Sequence, residues 1–175
     1  MRTVWRLIKR VYAKQAFTGT GSRLHGTRWT SPGIPVVYTA ESAALAAWEV
    51  VVHLRKHQFP SDYVLFRLQV PEDAITVLDP DQLPAGWDAD PPSPATQEIG
   101  TRWVAGRSSL VLQVPSVVIR PESNFLINLD HPDFAALTIP KPEPFVFDPR
   151  YFARSRQTAR PSPRRRPRPR LKSVP

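Results

Sequence analysis

Residues 41–57, ESAALAAWEVVVHLRKH, carry neither Gly nor Pro in a chain that holds 21 prolines and 7 glycines. No other segment constrains the fold as much. It is alanine-rich, Ser42 stands where an N-cap side chain accepts from free amides, and Arg55, Lys56 and His57 fall in the last turn, where cations suit the helix dipole. A helix is predicted. Its apolar residues run nearly all round from Ala43 to Val52, which predicts burial on more than one side. Glu49 is the one exception, and an ionised carboxylate in an apolar wall is costly unless it is paired or hydrogen-bonded.

Elsewhere Pro and Gly cut the chain into short runs. TVWRLI (3–8), VVYT (36–39), YVLFRLQV (63–70), ITVLD (75–79), SLVLQVPSVVI (109–119) and NFLINL (124–129) read as strands, with breaks at Pro115 and Pro121. Residues 96–105 read as a second, short helix. Strands of this length mixed with helices predict one α/β (α+β) domain on a mixed sheet. Between the first two strands, Gly19, Gly21 and Gly26 with Ser22, Arg23 and Arg28 predict a turn-rich loop that brings amides and guanidinium groups to an anion. Residues 80–95, rich in Pro and Asp and containing Trp87, form a loop of a length often used as a lid.

The chain has 175 residues and a formal charge of +9, but residues 1–153 hold 15 basic against 15 acidic side chains. Residues 154–175 hold the other nine basic residues, five prolines and no acid. This segment is expected to be a disordered basic tail, because it has too little apolar surface to offset the entropy of ordering. The folded domain is then 1–153. A neutral core argues against nucleic-acid recognition by the domain itself, and no zinc-finger, RNP-like or helix-turn-helix pattern is present. With no cysteine, disulfides, thiolate metal sites and cysteine nucleophiles are excluded. The histidines at 25, 53, 57 and 131 have no metal-ligand spacing, so no metal is expected. Charges at Arg2, Arg6, Lys9, Arg10 and Lys14 break any signal-peptide core, and no run reaches the ~18 apolar residues of a membrane span. The expectation is a cytoplasmic protein without membrane contact.

Two readings of Glu49 follow from its position alone. It is either a structural ion pair with Arg23 or Arg28, or a carboxylate that stabilises a sugar cation as a glycosidic bond breaks. More residues bear on the choice. GSRLHGTRWTSPGIPVVYTAESAALAAWEVVVHL, then LPAGW, IGTRW, SLVLQVPSVVI, ESNFLIN and HPDF, occur in that order between Thr3 and Phe152. Together these words resemble the RES domain family, named for its Arg, Glu and Ser.

The resemblance implies a single domain with a small, strongly bent mixed sheet, similar to the ADP-ribosyltransferase fold. It also implies the toxin of a toxin–antitoxin pair, one that consumes NAD and is blocked by a helix-turn-helix (Xre-like) antitoxin. NAD is then a substrate, phosphate a candidate co-substrate, and no cofactor is needed. The family's arginine falls on Arg28, its tyrosine on Tyr38, its glutamate on Glu49 and its serine on Ser116. In the implied roles Arg28 and Arg23 meet the pyrophosphate, Tyr38 stacks on nicotinamide or adenine, and Glu49 holds the ribose and its cation. Ser116 orients Glu49 or the ribose. Trp29, His53, Trp87, Asn124 and Asn128 are further candidates.

Two departures from the family pattern are Thr30, where Asn is usual, and Asn128-Leu129-Asp130 before His131-Pro132. Hydrolysis, phosphorolysis and ADP-ribosyl transfer all remain open, since each begins with the same bond cleavage. A non-catalytic alternative binds nucleic-acid phosphates through residues 154–175 in a salt-sensitive way.

Overall fold

In a computed structural model that describes residues 1–54 and 59–152, the chain forms strands β1 (Arg2–Lys9), β2 (Val36–Ala40), β3 (Tyr63–Val70), β4 (Ile75–Val77), β5 (Val111–Pro115), β6 (Ser123–Asn128) and β7 (Glu143–Phe145). Three helices accompany them: α1 (Thr20–His25), α2 (Ala43–Val51) and α3 (Pro94–Gly106). The strands make one mixed sheet in the order β4-β5-β6-β2-β1-β3-β7. Every pairing is antiparallel except β4 with β5.

The expected bend has a structural origin. β1 pairs with β3 along eight residues, from Arg2↔Val70 to Lys9↔Tyr63, whereas β1 and β2 share the single pair Trp5↔Ala40. Two half-sheets thus meet at one point and diverge beyond it, which opens space between β1 and β2. The core follows the pleat. Val37, Val111, Phe125 and Ile127 bury on one face with Val4, Leu68 and Val70. On the other, Val36, Leu112, Val114 and Leu126 pack under Trp103 and Val104 of α3, with Trp29 between them. Gly100 permits that close approach: its N–H donates to the Trp29 carbonyl at 3.0 Å, and an added Cβ would collide with that oxygen.

Several expectations change. The glycine-rich segment is not all loop: residues 20–25 turn into α1, with Gly19 (φ +64°) and Gly26 (φ +69°) at its two ends. The glycines act as stops, in a left-handed conformation that a side chain resists. Helix α2 starts as predicted, with Ser42 Oγ accepting from Leu45 N at 2.9 Å, but it ends at Val51; Arg55, Lys56 and His57 lie outside the described residues.

Burial of α2 on more than one side is also not found. Leu45 and Ala46 pack with Leu7, Ala40 and Tyr63, while Trp48 is 44% and Val52 52% exposed. Ala43, Ala44 and Ala47 add apolar count but little area, so a single packed face suffices. The run 109–119 stays a strand only to Pro115; the chain then turns, and Ser116 N donates to the Glu122 carbonyl at 3.1 Å. β7 has no counterpart in the sequence reading, because Pro144 and short length hide a three-residue edge strand. The tail, 154–175, also lies outside the described residues. Among the described residues no helix is long and apolar enough to cross a membrane.

Candidate active site

A cleft of about 1050 Å³ opens where β1 and β2 part, with α2 on one side, the 25–28 turn on another and Val117–Ile119 behind. That is at the upper end of the ~300–1,000 Å³ usual for small-molecule sites. Arg28, Tyr38, Glu49, His53 and Asn124 all line it, so the fold gathers residues up to 96 positions apart.

Glu49 reaches the cleft from the last turn of α2 and is half-buried. Among the described residues no basic side chain forms an ion pair with it, so the structural pairing to Arg23 or Arg28 is absent. Burial pushes its carboxyl above the ordinary range, opposed first by the Asn124 amide, then by His53 and Arg28. The result is a carboxylate whose ionised form burial disfavours and which no ion-pair partner among the described residues neutralises. His53, one turn further along, is exposed and faces the same space.

Arg28 spends its Nη1 on two carbonyls of the 80–95 segment, Trp87 O at 3.0 Å and Ala89 O at 2.6 Å. That segment is held down further. Trp87 stacks on the fully buried Trp29 with ring centroids 5.8 Å apart, Arg120 lies over Trp87 at 5.6 Å and pairs with Asp88 at 2.8 Å. Asp90 and Pro92 carry the segment to the cleft edge. Trp29 and Trp87 therefore shape the cleft from behind, by fixing the turn that carries Arg28. Thr30, at the position where the family pattern differs, is fully buried and bonds Thr27 Oγ1 at 2.9 Å, closing that turn. Tyr38 stays a neutral phenol: burial, then the charge of Glu49, raises its pKa far above its ordinary value, against the smaller effects of Trp29 and Arg28.

Besides Trp29 and Trp87, three candidates do not reach the cleft. Arg23 is exposed in the last turn of α1. Asn128 is fully buried, donating to Val104 O at 3.2 Å and accepting from Asp130 N at 2.9 Å; it ties β6 to α3. Ser116 is 1% exposed, and its Oγ accepts from Val118 N and Ile119 N, both at 3.1 Å. It braces the wall behind Glu49 and does not line the cleft.

Several lining residues escaped the sequence reading, Arg6 among them. Arg6 of β1 reaches into the gap between the half-sheets, where Nη1 donates to Tyr38 O at 2.7 Å. The available signal was a single charge inside the β-prone run TVWRLI. Among the described residues no three His, Asp or Glu side chains converge as a metal site.

The RES domain family model matches residues 3–148. A Photorhabdus laumondii protein named Toxin Res is 40% identical over 131 residues, covering 75% of this chain and 84% of that one. A Sphingobium protein named Prs ADP-ribosylating toxin is 35% identical over 156 residues, covering 86% and 97%. A chain in the crystal structure of the M. tuberculosis MbcT–MbcA toxin–antitoxin complex has a TM-score of 0.65 at 17% identity, covering 83% of this chain and 84% of that one. At that identity the likeness shows the fold alone.

Proposed function

The chain belongs to the RES domain family, and from that premise we propose that it is the toxin of a toxin–antitoxin pair and cleaves the bond between nicotinamide and ribose in NAD. The observation that carries this reading is Glu49: a carboxylate in a cleft wall, without an ion-pair partner among the described residues, facing a space large enough for a dinucleotide. As the C1′–N1 bond breaks, its electron pair leaves with nicotinamide and positive charge grows on the ribose. Glu49 stabilises that charge and accepts the ribose hydroxyls. Arg28 takes the pyrophosphate, exchanging two neutral carbonyls for charged oxygens that a guanidinium can bind through two parallel hydrogen bonds. Tyr38 supplies an aromatic wall for a base. Ser116 contributes by fixing residues 117–119.

The cation then adds water, which loses a proton to give ADP-ribose, or adds phosphate to give its 1″-phosphate. Transfer to a macromolecular nucleophile is a second reading, favoured by the name of the Sphingobium relative. A partner antitoxin that covers the cleft is part of the proposal, supported by the toxin–antitoxin complex that shares the fold. No cofactor enters this scheme.

Incubating the purified protein with adenine-labelled NAD, with and without phosphate, tests the chemistry. Free nicotinamide must appear. Label in ADP-ribose, in its phosphate, or on added macromolecules then separates the three acceptors, and intact NAD in every condition refutes the proposal.

A further inference from the structure

The cation assigned to the pyrophosphate is already engaged. Arg28 Nη1 carries two N–H groups, which donate to Trp87 O at 3.0 Å and Ala89 O at 2.6 Å. Both acceptors are backbone atoms of residues 84–92, a strap tied to the rest of the domain at few points. Its backbone hydrogen bonds, Trp87 N to Pro84 O and Ala89 N to Gly86 O, both at 3.0 Å, stay within the strap. Residues 85, 86 and 88–91 are exposed, so its apolar anchor is Trp87, stacked on Trp29.

Arg120 is the second anchor. It pairs with Asp88 at 2.8 Å and lies over the Trp87 ring at 5.6 Å, so it grips both residues that flank the Trp87 carbonyl. The Asp88 carboxyl is held below the ordinary carboxylate range by the Arg120 hydrogen bond first and in part by the charge of Arg28. Two guanidinium groups thus converge on one strap, Arg28 from the cleft and Arg120 from outside it.

An anion bound through Nη1 displaces the two carbonyls, so strap and ligand compete for one group. How well the strap is held decides the contest: an acceptor tethered in place acts at a high effective concentration, and one on a loosened tether at a lower one. We propose that residues 84–92 are an autoinhibitory arm that competes with the pyrophosphate for Arg28, and that Arg120 and Asp88 set the strength of the competition. This rests on the reading of Arg28 as the pyrophosphate ligand. Ligand entry frees the 87–89 backbone from Arg28 while Trp87 and Arg120 still tether it, and ligand exit lets the carbonyls return.

The test uses Arg120→Ala and Asp88→Asn in the full chain, titrated calorimetrically with inorganic pyrophosphate and with ADP-ribose. Both positions are solvent-exposed, where substitutions leave the fold intact. Charge alone predicts opposite effects: Arg120→Ala removes a cation and weakens anion binding, whereas Asp88→Asn removes an anion and strengthens it. Loosening the strap predicts one sign for both. Each variant should bind both probes at least threefold more tightly than the parent, and the double variant should gain no more than the stronger single one. Hydrogen exchange in the parent gives a second readout: saturating ADP-ribose should accelerate the amides of residues 87–89 at least threefold. Opposite signs, weaker binding in either variant, or slower exchange at 87–89 would make the strap a support that readies Arg28 for its ligand, and would overturn the proposal. A parent that binds neither probe refutes the reading of Arg28 itself; a parent that binds both, with affinities unchanged in the variants, refutes the autoinhibitory arm alone.

Discussion

Replacing Glu49 by Gln keeps the side chain's volume and removes only its charge, and two measurable effects of opposite sign should follow. The first is on turnover. A carboxylate ~4 Å from the forming ribose cation contributes about 4 kcal/mol at the effective dielectric of ~20 that suits a half-buried site. At about 1.4 kcal/mol per decade that is close to 10³ in rate, and the Gln amide still binding a hydroxyl reduces the loss to roughly 10²–10³. The second is on stability. Burial raises the Glu49 pKa in the folded protein above its unfolded value of about 4.3. The folded state therefore binds the proton more tightly, and the cost of an ionised Glu49 is absent at low pH and grows as pH rises through the folded pKa. Glu49→Gln should melt higher than the parent at pH 7.5, and the advantage should vanish near pH 4. Nicotinamide release followed by chromatography, with calorimetric melting at the two pH values, reads both. Turnover above a tenth of the parental rate, or a variant that melts lower at neutral pH, refutes the reasoning.

Four further outcomes are expected. The parental pH–rate profile should fall on the acid side with a midpoint above the usual glutamate range, and Glu49→Gln should flatten that limb. Ser116→Ala leaves Val118 N and Ile119 N without their acceptor, so chemical denaturation should show a loss of about 1–3 kcal/mol with kcat falling far less than in Glu49→Gln. Gly100→Ala drives a methyl group into the Trp29 carbonyl and should cost roughly 1–3 kcal/mol in the same measurement, with raised KM for NAD because the Arg28 turn shifts with Trp29. Removing residues 154–175 deletes all the excess charge, and should abolish salt-sensitive retention on nucleic acid while NAD turnover stays within twofold.

Local pattern was enough for much of the fold. β3 is found over the residues read as a strand, 63–70, and Ser42 caps α2 as its residue type and position implied. The ordered motif words also singled out Arg28, Tyr38 and Glu49, and the cleft contains all three. The misjudged residues are those whose meaning depends on a neighbour distant in sequence. Nothing local to Arg23, Asn128 or Ser116 shows that the first points to solvent and that the other two spend their polar atoms on the backbone.

The uninterrupted segment at 41–57 determined that a helix carries Glu49, because side-chain type and the absence of Gly and Pro act within a few residues. The partition of charge determined that the domain is neutral, since composition is independent of fold. Tertiary structure alone decided that β1 and β2 touch at one pair and then separate, because strand pairing is settled between residues far apart in the chain. That divergence creates the cleft, leaves Glu49 without an ion-pair partner among the described residues, and brings Arg6 from one charge in a strand to the cleft wall.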